Sequence, residues 1–137
     1  MKRNTWQAAA FLGILLTAVT AVGQSAPVLE ADIPFPFVVA GHTLPAGHYA
    51  VSPHGERVIQ IVNSHNQATF ALTFRAERGA PESLGKLVFN RYADTYVLAQ
   101  VWGPGKSTGK QLCKSRLEKE LENEGINREI AVLQAER

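Results

Sequence analysis

The chain has one cysteine and one methionine in 137 residues, and little excess of either charge, with 14 basic residues against 12 acidic ones. A lone Cys113 cannot close an internal disulfide, which excludes a disulfide-dense miniprotein and leaves a buried or idle thiol, or one that pairs between chains. At 19% charged and 45% hydrophobic residues the composition also excludes a disordered polyampholyte. The 11 glycines follow no triplet period, so a collagen-like repeat is excluded too. Lys and Arg form no stripe or cluster of the kind that neutralises phosphates, so nucleic acid is not an expected partner. The length suits one domain, large enough to bury a core without staples.

A long hydrophobic run is missing as well. Lys2 and Arg3 precede an uncharged, mostly apolar run over residues 8–22, shorter than the roughly 20 residues that span a bilayer. It ends in Ala21-Val22-Gly23, with small residues at the positions a signal peptidase reads, placing the expected cut between Gly23 and Gln24. No Cys follows the cut, which excludes a lipoprotein anchor. Lys2 and Arg3 leave with the leader, so the basic residues that stay equal the 12 acidic ones. The sequence pI near 8.9 therefore belongs to the precursor. Residues 1–23 are read as a signal peptide and residues 24–112 as an antiparallel β domain. Residues 113–137 are read as a C-terminal helical segment packing on it. The expected place is outside the cytoplasm (periplasm, cell surface or medium), with no transmembrane segment after cleavage.

What is present is alternation. Ile33, Phe35, Phe37 and Val39 share one face, with Pro34 and Pro36 between them, which reads as an edge strand. Leu44-Pro45-Ala46-Gly47 is a turn, followed by a strand with Tyr49 and Val51 inward and a stop at Pro53-His54-Gly55. Residues 57–62 form another strand and residues 63–67 a polar turn. In residues 68–75, Phe70, Leu72 and Phe74 alternate with Thr69, Ala71, Thr73 and Arg75, predicting a half-buried strand. Gly79 and Pro81 mark a loop. Residues 86–102 read as a hairpin turning at Ala93-Asp94, with Tyr92 opposite Thr95, Asn90 opposite Val97 and Phe89 opposite Leu98. One face then holds Leu87, Phe89, Tyr96 and Leu98, and the other Val88, Val97, Ala99 and Val101. Both faces are apolar, so the hairpin belongs in the middle of the domain. Ser115 and Glu118 have capping-box spacing, with Leu117 and Leu121 on one stripe of a charged helix ending near Gly125. Residues 127–137 fit a helix or a terminal strand. The fold expected is mainly β: a small antiparallel β-sandwich or barrel-like domain with a C-terminal helix.

The motifs Ala31-Asp-Ile-Pro-Phe-Pro-Phe-Val-Val and Leu44-Pro-Ala-Gly-His-Tyr-Ala-Val51 carry a resemblance. With Lys86-Leu-Val-Phe-Asn-Arg-Tyr, the Asp94 turn, Tyr96 and Lys114-Ser-Arg-Leu-Glu118, the chain resembles a family of small exported bacterial proteins. The resemblance covers nearly the whole chain after the leader. That family has no established activity, so the resemblance implies export and no functional residue. At Ala93 the chain departs from relatives that look more like Gly-Asp, and a glycine would suit a turn with positive φ.

Few residues invite chemistry. His42, His48 and His54 recur every six residues and are the candidate metal ligands. Gly41, Pro45, Gly47 and Pro53 divide the segment into separate turns, and no Cys or carboxylate stands at ligand spacing. They are read as exposed turn histidines, and no metal or other cofactor is expected. Gly105-Lys-Ser-Thr108 mimics the end of a phosphate loop, but Gln100 stands where the first glycine belongs and no helix follows. Ser52 with His54, or Ser64 with His65, would serve a hydrolase, yet there is no Gly-x-Ser-x-Gly elbow. Glu30, Glu56, Glu77 and Glu82 read as solvated carboxylates. Phe89, Tyr92, Tyr96 and Trp102 pack a core, or Tyr92, Tyr96 and Trp102 form a patch that binds a glycan or a protein. Two function classes follow: a non-catalytic exported module binding a protein, a glycan or itself, and a small exported hydrolase.

Overall fold

The computed structural model describes residues 29–77 and 82–135. The leader and residues 78–81, with the loop marked by Gly79 and Pro81, lie outside them. The chain is mainly β, with strands β1 (Leu29–Ile33), β2 (Phe37–Val39), β3 (His42–Leu44), β4 (Gly47–Pro53), β5 (Val58–Asn63) and β6 (Ala68–Glu77). Then come β7 (Lys86–Tyr92), β8 (Thr95–Trp102), β9 (Thr108–Leu112), helix α1 (Arg116–Asn123) and β10 (Arg128–Gln134). The segment beyond Gly125 is thus a strand, and only Arg116–Asn123 of the C-terminal segment is helical.

One open, mostly antiparallel sheet runs β1-β4-β5-β6-β9-β8, with β7 and then β10 continuing from β8. β2 pairs in parallel with the start of β8 and carries β3 on its other side. Strand β6 is the corner. It pairs with β5 through residues 68–72 and with β9 through residues 73–77, so one long strand belongs to both halves of the sheet. Leu29, Val51, Ile59 and Ile61 from the first half meet Phe37, Leu87, Phe89, Leu98 and Val101 from the second in one buried cluster. Phe37 and Phe89 meet edge-to-face at 5.7 Å between ring centres, and Phe37 meets Tyr49 in the same way at 5.0 Å.

Three expectations are corrected by this arrangement. Pro34 and Pro36, which cannot donate to a ladder, split the first apolar segment into β1 and β2, so it is not one edge strand. In β6 the inward face is Ala71 and Thr73, while Phe70, Leu72 and Phe74 are 49%, 64% and 45% exposed. The register decides this: Ile59 lies opposite Ala71, and Phe70 opposite Gln60. A strand that faces large core residues on β5 has room for small side chains only. In the hairpin the pairs Tyr92–Thr95, Asn90–Val97 and Phe89–Leu98 form, but the register slips between Val88 and Phe89. This bulge places Val101 opposite Leu87, on the core face.

Helix α1 covers the outer face of the second half. Ser115 caps it by accepting from the Glu118 amide at 3.3 Å, and Gly125 at φ +75° ends it. Leu121 packs with Ile126 against Val38, Tyr92 and Val97. Leu117, expected on the same stripe, is 37% exposed, and Glu118 takes the buried place.

Candidate functional site

The candidate residues of the sequence do not converge. His42 is exposed on β3, and His54 follows β4 with its ring 5.2 Å from that of Phe70. His48 Nδ1 lies 2.7 Å from Asp32 Oδ1, a cross-strand pair between β4 and β1 on the exposed face. Among the described residues no group of three His, Cys, Asp or Glu could hold a metal ion. His65 lies in the turn after β5, where its backbone N–H donates to Asn63 Oδ1 at 3.0 Å. The aromatic trio makes no surface patch. Tyr92 is buried under α1, Trp102 is buried over Gly109, and Tyr96 is half-buried, stacked on Phe35 at 3.8 Å.

Two arrangements that pattern-reading does not find are present instead. The first lies between α1 and the sheet. Asn90 Nδ2 and the Tyr92 hydroxyl both donate to Glu118 Oε1, at 2.8 and 2.9 Å, and Glu118 is 4% exposed. The Tyr92 hydroxyl also lies 2.9 Å from Glu122 Oε1, which takes a hydrogen bond from Lys114 Nζ at 2.7 Å. Burial first, then the two carboxylates, push the Tyr92 phenol above its ordinary range. Lys114 and the Tyr92 hydroxyl hold the Glu122 carboxyl below its own range. Two donors on β7, Asn90 Nδ2 and the Tyr92 hydroxyl, and the carboxyl groups of Glu118 and Glu122 on α1 clamp the helix to the sheet.

The second is a cleft of about 810 Å³ between the two halves of the sheet, where β5 leaves β6. Its floor is apolar: Leu29, Val51 and Ile59 from the first half and Val101 from the second, all buried core residues. Its rim carries Arg57, Arg75, Lys106 and Lys110, with Glu56 the one acidic residue among the lining. The second half supplies part of that rim through its inner face. Leu133, Leu87, Val101, Lys110 and Arg75 are successive cross-strand partners on β10, β7, β8, β9 and β6. Partners across a ladder share a face, so one row runs from core aliphatics straight into two adjacent cations. Lys110 Nζ donates to the Glu56 carbonyl across the cleft, and Arg75 pairs with Glu77 at 3.1 Å in full view of solvent.

No family model, no curated protein and no solved structure matches this chain. What it does rests on its own geometry.

Proposed function

We propose that the chain is a non-catalytic exported module that binds a small ligand in the cleft between the two halves of its sheet. One observation carries the reading: the floor of an 810 Å³ concavity is made of core side chains from both halves. That volume falls within the range of ligand pockets, which are mostly apolar with a few placed polar groups. The hydrolase alternative lacks comparable support, because Ser52 with His54 and Ser64 with His65 show no hydrogen bond to a carboxylate among the described residues. Export is part of the proposal and rests on the leader. Sequencing the N-terminus of the released protein should read Gln24-Ser25-Ala26, and an intact Met1 in the membrane fraction would overturn it.

The binding reading is tested with Nile red, a neutral apolar dye whose fluorescence rises on leaving water. The exported chain should enhance it, and Thr108→Trp, which puts an indole into the cleft lining, should abolish most of the enhancement while the protein stays folded. Enhancement untouched by Thr108→Trp, or none at all with the parent protein, would sink the reading.

A further inference from the structure

We infer that the ligand class of this cleft is an amphipathic anion: one apolar chain or ring carrying a single acidic head such as a carboxylate. The inference rests on the proposal that the cleft binds a ligand, and it adds the sign and shape of that ligand. Arg75 and Lys110 are direct cross-strand partners. Like charges opposite one another on a sheet face cost stability, and this pair stands in the same row as Val101 and Leu87, where the rest of the row is aliphatic. Arg57 and Lys106 bring two more cations to the rim of the same cleft. Glu77 neutralises Arg75 only through a pair exposed at 70% on both sides, and such a pair is worth little. An anion seated there meets several N–H donors at once and relieves the repulsion between Arg75 and Lys110. In the same lining Phe74, 45% exposed, with Pro53 and Pro104, offers the apolar surface that removes a tail from water, over the buried Leu29, Val51, Ile59 and Val101. The core below them is filled by Phe37, Phe89 and Tyr49, so the tail lies along the cleft and does not thread between the sheet halves.

The experiment uses three ligands with one tail: decanoate, decanol and decylamine, each displacing Nile red from the exported chain. Decanoate should displace the dye at a roughly tenfold lower concentration than decanol, the equivalent of one charge-assisted hydrogen bond, and decylamine should be weakest. Added salt should close the gap between decanoate and decanol. Arg57→Gln and Arg75→Gln, tested separately because neither residue is buried, should each weaken decanoate and leave decanol unchanged. Equal displacement by all three ligands would overturn the inference while leaving the binding reading intact. Displacement by none of them, with dye bound in the cleft, would overturn it as well. If Arg75→Gln changes only aggregation, the cations guard the part of β6 beyond Thr73, which β5 leaves unpaired on one side, against pairing with other chains, and the inference is wrong.

Discussion

The Tyr92 hydroxyl stands 2.9 Å from both Glu118 Oε1 and Glu122 Oε1, so one side chain at the end of β7 holds two successive turns of α1. Tyr92→Phe removes that donor and leaves the buried Glu118 with Asn90 alone. The expected cost is about 1–3 kcal/mol, read from chemical denaturation at pH 7. The pH dependence follows from the raised phenol. Above a pH of about 10 an unfolded tyrosine ionises while Tyr92 keeps its proton, so the native state binds more protons than the unfolded one. Stability from this group is complete below that pH and declines as pH rises beyond it. Tyr49, whose phenol is raised by burial, adds to the same decline. Tyr92→Phe should flatten the alkaline limb, and an unchanged limb would place the coupling elsewhere.

Directly after Tyr92 in the hairpin turn, Ala93 sits at φ +54°, where an L side chain is strained. Glycine has no such penalty, although it loses more chain entropy on folding. Ala93→Gly should raise stability by about 0.5–1 kcal/mol net of these two effects. A lower melting temperature would mean the turn is not the left-handed one described here.

The hairpin was legible because its signal is local. Tyr92-Ala93-Asp94-Thr95 sets a two-residue connection, and that connection fixes the register of everything near it. The position of the bulge was not legible, because Val88, Ala99 and Val101 are all apolar and alternation is equally satisfied on either side of Ala99. The face of β6 was misread for a different reason. Its pattern of Phe70, Leu72 and Phe74 is strong, but which face turns inward depends on Ile59 and Ile61 across the ladder, a long-range fact. The cleft depends on the same kind of fact. Arg75, Lys110 and Val101 are separated in sequence and meet only through the order β6-β9-β8. Glu118 was legible as a capping-box residue; its side chain bonds to the sheet instead, because Tyr92 and Asn90 offer buried donors.

The inverted face of β6 makes neighbouring residues respond in opposite ways. Leu72→Thr on the exposed face should change stability by no more than about 0.5 kcal/mol, against the 2–5 kcal/mol typical of emptying a core leucine site. Thr73 is 1% exposed, and its Oγ1 has no hydrogen-bond partner among the described residues. Thr73→Val replaces that stranded hydroxyl with a methyl group of similar shape and should leave stability equal or higher. A large loss from Leu72→Thr in thermal melts would restore the face that sequence alternation suggests.

The C-terminal strand matters to the fold more than its exposed side chains suggest. Ile130 and Val132 on β10 are 65% and 55% exposed, yet Leu133 packs on the main core and Ala135 is 4% exposed within it. The Ala135 amide donates to the Gly85 carbonyl at 2.9 Å, and β10 pairs with β7 over the full length of both strands. Ending the chain after Gly125 would remove this ladder and turn β7, buried on both faces, into an open edge. Ile126 would go too, uncovering part of the Val38–Tyr92–Val97 cluster beneath α1. Ile126, Ala131 and Leu133 are only half-buried and Ala135 is small, so each contributes less than the roughly 1.5–3 kcal/mol of a fully buried large aliphatic, and the loss of the β7 ladder adds to them. The shortened protein should either fail to show a cooperative melt or associate through the bared edge of β7, which size-exclusion chromatography would detect. A monomer with the parent's melting temperature would show that β10 decorates the sheet without supporting it.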